Sequence, residues 1–557
     1  MRTAYLIVML CVAGCGGGGS DVDGGVADAN TVVDASTRCA QHIFEDISIP
    51  MRDGKTLAAF ARRAQDPTCQ LPTVLVQTPY DKENSRSLWF QGNAGDNPLF
   101  DSYDYNFVVL DWRGFYASAT AAVAQPNRGE DGYDAVEWIA QQNWSDGKVG
   151  TWGVSALCRA QHWTAIEQPP SLVAAVPIFC AMNDTYLQYY PGGVLRREYV
   201  DTLGALFGGS IVMDHPTHDG AWSLIANLRD PTQVSIPMLI VAGWFDLDNN
   251  SSFETWNDLV STSAASVRDD HRLLVGSWHH FAAGGESVAG GGLSTQELKF
   301  WDSAHVIQTD SLAWFDHYLR GRASAASSWP RVRYHRSGED TWAGAEEWPP
   351  TNTSAHNLYL SSGGTLTTAP PLSGSVDFTY NPVTPSPSVG GQSLRFDLDH
   401  GPHDQAAVLS HGEANAFVTA PLTSELAVRG VIEVELDVTT TGIDTDFAVR
   451  LTDVDASGNH LLIGEGIRRL KLRDGYTSVS AVTPGQRYSL RITLQNHLAH
   501  TFLPGHRVGL IVTSSNWPRF DRNPNTGNDF FAQAAVPVTV TNTVHVDGAS
   551  RLVLPSD

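Results

Sequence analysis

The sequence predicts an α/β domain built on a mainly parallel sheet, followed by an all-β domain. Two textures carry that reading. From residue 42 to about 325, short apolar runs alternate with amphipathic helical stretches, the pattern of a sheet covered by helices. From about 330, Thr, Val and Ser increase and Gly/Pro turns break short alternating runs, the pattern of a β-sandwich of jelly-roll type. A length of 557 residues suits two or three domains, and 42% hydrophobic with 17% charged residues suits globular ones. The formal charge of −24 repels phosphate backbones and argues against a nucleic-acid partner.

At the N-terminus, Arg2 precedes an apolar run from Ala4 to Gly14. A membrane-spanning helix needs about 20 residues, so this run reads as a secretion leader over residues 1–14. Val12-Ala13-Gly14-Cys15 resembles the lipobox of bacterial lipoproteins. The resemblance implies cleavage before Cys15, lipid on its thiol, and a place in the bacterial envelope with no other membrane contact. Residues 15–38, with Gly16–Gly19 and scattered Asp, cannot bury a core and read as a tether. Cys39, Cys69, Cys158 and Cys180 remain, an even number that suggests disulfides in an exported chain. Three pairings are possible, and nearest neighbours, 39–69 and 158–180, are the expectation. Neither C-x-x-C nor H-E-x-x-H spacing occurs, so no metal is expected, and no cofactor.

The α/β domain is expected over 39–180 and 235–328. Ile43–Ile49 and Leu57–Ala61 read as strands, and Thr73–Gln77 and Phe107–Leu110 as buried ones. Asp131–Gln142 has helical spacing of Tyr133, Val136 and Ile139. Val149–Trp152, Leu172–Phe179, Pro237–Ala242 and Leu273–Val275 continue the sheet, and Asp310–Leu319 reads as a helix. Over 181–234 the strand rhythm stops and Tyr and Leu fall at helical spacing, which predicts a helical cap over a site. Residues 329–557 form the β domain, with Val431–Val438, Phe447–Asp453, Ser489–Leu494 and Val508–Thr513 among its strands.

Gly153-Val154-Ser155-Ala156 follows a buried strand and precedes helix-compatible residues, the setting of a nucleophile elbow. Leu157 occupies the second Gly position of the usual G-x-S-x-G. A triad needs an acid and a base after later strands, in the order Ser, Asp, His. Gly243-Trp244-Phe245-Asp246 offers Asp246, with Asp248 as a rival. Gly276-Ser277-Trp278-His279-His280 offers one base of two, because adjacent side chains point apart.

Further segments make a family resemblance specific. Thr78-Pro79-Tyr80-Asp81-Lys82, Asp111-Trp112-Arg113-Gly114-Phe115-Tyr116-Ala117-Ser118 and Asp131-Gly132-Tyr133-Asp134 lead to the elbow. Thr445-Asp446-Phe447, Leu451-Thr452-Asp453-Val454, Phe502-Leu503-Pro504-Gly505-His506-Arg507 and Trp517-Pro518-Arg519-Phe520-Asp521-Arg522-Asn523-Pro524 follow in the β domain. Together with the elbow and the Asp and His segments, they resemble the serine hydrolases that include X-Pro dipeptidyl-peptidase, cocaine esterase and α-amino-acid ester hydrolase. The resemblance implies an α/β-hydrolase domain with a cap and a galactose-binding-like jelly roll. It also implies Ser155 as nucleophile, Asp246 as orienting acid and His280 as base, with the Tyr80 hydroxyl and the Ala156 N–H as oxyanion donors. The family's elbow usually reads G-x-S-Y-x-G, so Ala156 and Cys158 depart from it.

The expected substrate is a small ester, an amide or a short peptide, with esters placed ahead of X-Pro peptides. Asp184 is a candidate receptor for a substrate ammonium, and Trp152 a candidate pocket residue. An envelope lipoprotein that has lost activity and binds through its β domain is the reading from another class. A β domain that only shields the site is expected in preference to one that binds on its own.

Overall fold

The computed structural model describes residues 39–557 apart from 92–96, 208–209, 284–285, 288–296, 528–529 and 532–535. The expected leader, Cys15 and the tether lie outside the described residues. The α/β sheet runs through β1 (His42–Pro50), β2 (Thr56–Ala64), β3 (Leu71–Thr78), β4 (Asn106–Asp111), β5 (Ser145–Val154), β6 (Leu172–Ile178), β7 (Leu239–Phe245), β8 (Arg272–His279), β9 (Val332–Arg336) and β10 (Thr341–Ala345). Their spatial order is β1-β2-β4-β3-β5-β6-β7-β8-β9-β10. The strands from β4 to β9 pair in parallel. Antiparallel pairs close both edges. β4 and β7 are buried at every position, which explains the apolar run Phe107–Leu110 in the one and the apolar sequence of the other.

The sheet extends past the expected end of the α/β domain at 328, because β9 pairs in parallel with β8. The textural shift near 330 marks the last two strands of the first sheet before it marks the second domain. Helices Tyr186–Tyr189, Arg197–Phe207, Ser210–Asp214 and Gly220–Ile225 all fall between β6 and β7, within the segment 181–234 read as a cap.

The C-terminal domain is an eleven-stranded antiparallel-rich sheet. Its long strand Leu426–Thr440 alternates buried and half-buried residues, the period of a sheet with one face on a core. Both expected disulfides are present, Cys39–Cys69 and Cys158–Cys180.

Several family-like segments are structural ties. Arg113 forks onto Asp131 at 2.6–3.0 Å and reaches Asp53 at 2.7 Å. A Cβ on Gly132 would fall 1.9 Å from Thr164 Oγ1, so this glycine lets the helix Arg128–Ala140 press against the helix Ala156–Ile166. In the β domain, Arg469 forks onto Asp446 with two bonds of 2.9 Å. Asn523 donates to Asp446 at 2.7 Å, while His500 and His506 share Asp453. Arg519 pairs with Glu465 and stands 3.7 Å from Glu198 of the cap, tying the cap to the β domain.

Candidate active site

β5 ends in Gly153-Val154 and the next helix starts at Ala156, leaving Ser155 on the turn between them. Ser155 has φ 60° and ψ −119°, a conformation that L-residues rarely adopt. Such strain costs of order 1–3 kcal/mol and persists where its surroundings enforce it. Here the Ser155 N–H donates to the Ile178 carbonyl of β6 at 2.9 Å, while its own carbonyl accepts from Cys158 and Arg159. Gly153 is required, because a Cβ there would lie 2.4 Å from the Leu157 Cβ. Leu157 in the second Gly position is therefore accommodated by the absent side chain of the first, and it packs into the core beside Trp152. Ala156, at the first helical position, has an N–H with no partner within the helix, as helix geometry dictates.

Tyr80 stands on the loop after β3. Asp111 accepts the Lys82 N–H at 2.7 Å, and Thr78 Oγ1 accepts the Tyr80 N–H at 3.0 Å. These bonds hold the loop so that the Tyr80 hydroxyl meets Ser155. Burial pushes the Tyr80 phenol above its usual pKa, so it stays protonated and able to donate.

His280 follows β8 and Asp246 follows β7, and both are buried. His280 Nδ1 lies 2.7 Å from Asp246 Oδ2, and Asp246 Oδ1 accepts the Asp248 N–H at 2.7 Å. With Nδ1 so engaged, Nε2 is the remaining ring nitrogen. Burial disfavours the imidazolium, but Asp246 and Asp248 outweigh it and raise the His280 pKa. His279 goes elsewhere: it stacks on His400 with centroids 5.2 Å apart, and burial holds it neutral. Gly243 and Gly276 leave room for Trp278, whose carbonyl or ring a Cβ at either would strike.

Ser155, Ala156, Tyr80 and His280 line one cavity of about 280 Å³. Trp112 and Trp163 stand beside Ala156 on the same wall. The cap supplies Tyr189, Tyr199, Leu203 and Trp222, and Leu394 reaches in from the C-terminal region. The β domain is thus part of the cavity wall as well as a shield. Trp152 is not on that wall. It is 1% exposed, packs on Trp89 and Phe100, and donates its indole N–H to Ser311, which makes it core.

Asp184 lines the cavity, as does Asp248, the rival acid. Sequence reasoning missed the residue between them, Arg159. Its Nη1 is 2.6 Å from Asp184 Oδ1, and its Nη2 donates to the Tyr199 hydroxyl at 3.4 Å. Asp248 accepts the Gln188 amide at 2.7 Å, and burial beside Asp246 raises its pKa. Among the described residues, Cys158, His162 and Cys180 bring ligand-type atoms within 4.8 Å of one another, but both sulfurs are locked in the disulfide and neither is a thiolate.

The profile of the X-Pro dipeptidyl-peptidase S15 family matches residues 53–210 and 201–282, and that of the X-Pro dipeptidyl-peptidase C-terminal non-catalytic domain matches 325–553. Cocaine esterase from Rhodococcus sp. (strain MB1 Bresler) is 30% identical across 92% of this chain and 98% of its own. The chain belongs to this family of serine hydrolases. Solved structures of similar fold include an aminopeptidase from a marine sediment Thaumarchaeota archaeon, 23% identical over 96% of this chain and 99% of that one, with a TM-score of 0.76. An α-amino acid ester hydrolase is 24% identical over 95% of this chain and 98% of that one, with a TM-score of 0.77. Beside the elbow serine, this chain places Ala156, the Cys158–Cys180 bridge and the Arg159–Asp184 pair.

Proposed function

We propose that Ser155, His280 and Asp246 act as nucleophile, base and orienting acid of an acyl hydrolase of the carboxylesterase kind. The observation that carries this is the convergence of a strained serine, a tyrosine hydroxyl and an Asp-held imidazole on one cavity. His280 Nε2 takes the hydroxyl proton as Ser155 Oγ attacks an ester carbonyl. The Tyr80 hydroxyl and the Ala156 N–H then hold the oxyanion. The tetrahedral species collapses, the alcohol leaves with the proton from His280, and a water activated by the same ring frees the acid. The leader and Cys15 support an exported, lipid-held enzyme at the bacterial envelope.

Ester substrates are favoured over peptides because the cavity is walled by Trp112, Trp163, Leu203, Trp222 and Leu247. The amino-ester and dipeptidyl readings draw on Asp184 and Asp248 in the same cavity. A panel of p-nitrophenyl esters and aminoacyl-proline anilides separates these readings. The esters are expected to turn over and the anilides to lag far behind. Ser155→Ala is expected to lose essentially all turnover, and a wild-type rate from that variant would remove Ser155 from the chemistry.

A further inference from the structure

Arg159 lies one helical turn beyond Ser155 and faces the same cavity. Its side chain is 16% exposed and that of Asp184 is 25%, so the pair is largely withdrawn from water. Asp184 Oδ1 receives Arg159 Nη1 at 2.6 Å and the Tyr189 hydroxyl at 3.3 Å. Arg159 also reaches the Tyr199 hydroxyl, which accepts from Gln188 at 3.2 Å. The guanidinium is thus held by Asp184 and Tyr199, which Tyr189 and Gln188 of the cap brace in turn. Burial would weaken its charge, but Asp184 holds it firmly protonated.

A carboxylate that would greet a substrate ammonium is therefore already neutralised from within the chain. Resting on the hydrolase reading above, we propose that Arg159 determines specificity by occupying Asp184, closing the cavity to acyl groups that carry an α-ammonium and selecting uncharged, apolar acyl esters. An incoming ammonium would have to displace a bidentate-capable guanidinium and leave that cation buried without its partner, a costly exchange. The other carboxylate offers little relief. Asp248 is 4% exposed, engaged by Gln188, and sits beside Asp246, whose charge opposes its ionisation. The indoles and aliphatic side chains that make up most of the remaining wall suit an acyl chain without charge.

The test compares benzyl propionate with alanine benzyl ester, which differ at the acyl group only by the ammonium. Wild-type enzyme is expected to favour the propionate by about tenfold or more in kcat/KM. Arg159→Met uncovers Asp184 and is expected to raise the alanine-to-propionate ratio by about tenfold. Asp184→Asn, which keeps the shape of the side chain but leaves the Arg159 charge uncompensated, is expected to lower that ratio below the wild-type value, and the wild-type ratio tests the proposal even where a single variant fails to fold. The double variant Arg159→Met with Asp184→Asn is expected to lose the gain. A wild-type preference for the alanine ester, or a ratio unmoved by both single variants, overturns the proposal. If the wild type hydrolyses neither ester and takes up no fluorophosphonate, the hydrolase reading fails and the inference with it. If it takes up fluorophosphonate and shows the wrong ratio, only the inference fails.

Discussion

His280 is held between two opposed influences. Burial favours its neutral ring, whereas Asp246 at 2.7 Å and nearby Asp248 favour the charged one and prevail. A general base must be neutral to accept a proton, so activity should rise with pH through a pKa above the ordinary 6.5. The acid limb of kcat/KM is expected above pH 6.5. Asp246→Asn should move that limb to lower pH and cut kcat by about 10⁴-fold. A wild-type limb below pH 6.5 would contradict the account. The same raised pKa contributes to stability, fully below pH 6.5 and vanishing as pH rises through the folded-state value. The places of Ser155, Asp246 and His280 just after strands of the sheet were legible in the sequence, because Val149–Trp152, Pro237–Ala242 and Leu273–Val275 read as strands. Arg159 was not, since its partner Asp184 lies 25 residues away and a lone arginine on a helix normally reads as solvated surface. Trp152 was misplaced for a related reason: over the buried stretch 149–153 of β5 both faces are covered, and sequence does not say which face meets a cavity.

At the scale of elements, the elbow is a strand, a turn and a helix held by devices on both sides. Thr164 on the elbow helix receives the Gln77 amide of β3 at 2.9 Å, and Gly132 lets the neighbouring helix close against it. On the other side, Cys158 in the helix's first turn is bonded to Cys180 just after β6, closing a separation of 22 residues. A loop of that size restricts the unfolded chain by about 3 kcal/mol. Cys158→Ala with Cys180→Ala is therefore expected to lower unfolding free energy by roughly that amount in a denaturant titration. A change within a few tenths of a kcal/mol would show that packing alone holds the turn. The strands were readable wherever they were continuous and apolar, as in β4 and β7. β9 and β10 were assigned to the wrong sheet because β9 mixes apolar with polar residues and β10 is nowhere fully buried, so both resemble the β domain that follows.

Across the whole molecule, the cavity belongs to three parts of the chain at once. The α/β domain gives the serine, the imidazole and the tyrosine. The cap gives the aromatic roof, and the C-terminal region gives Leu394. Arg196 of the cap spans the junction, donating to the Leu247 carbonyl at 2.9 Å and to Gln495 of the β domain at 3.1 Å. Glu198 receives the Ser393 hydroxyl at 2.6 Å next to Leu394. The ties to Ser393 and Gln495, formed across 195 and 299 positions of chain, are why the β domain looked like a cover in sequence and is a wall in space. The central claim is that Ser155 is activated by His280 within this enclosure. Fluorophosphonate labelling followed by peptide mass mapping tests it most directly. One adduct on Ser155 is expected in the wild type, with labelling slowed by about a thousandfold or more in His280→Ala. An adduct on another residue, or equal labelling rates in the two proteins, would contradict it.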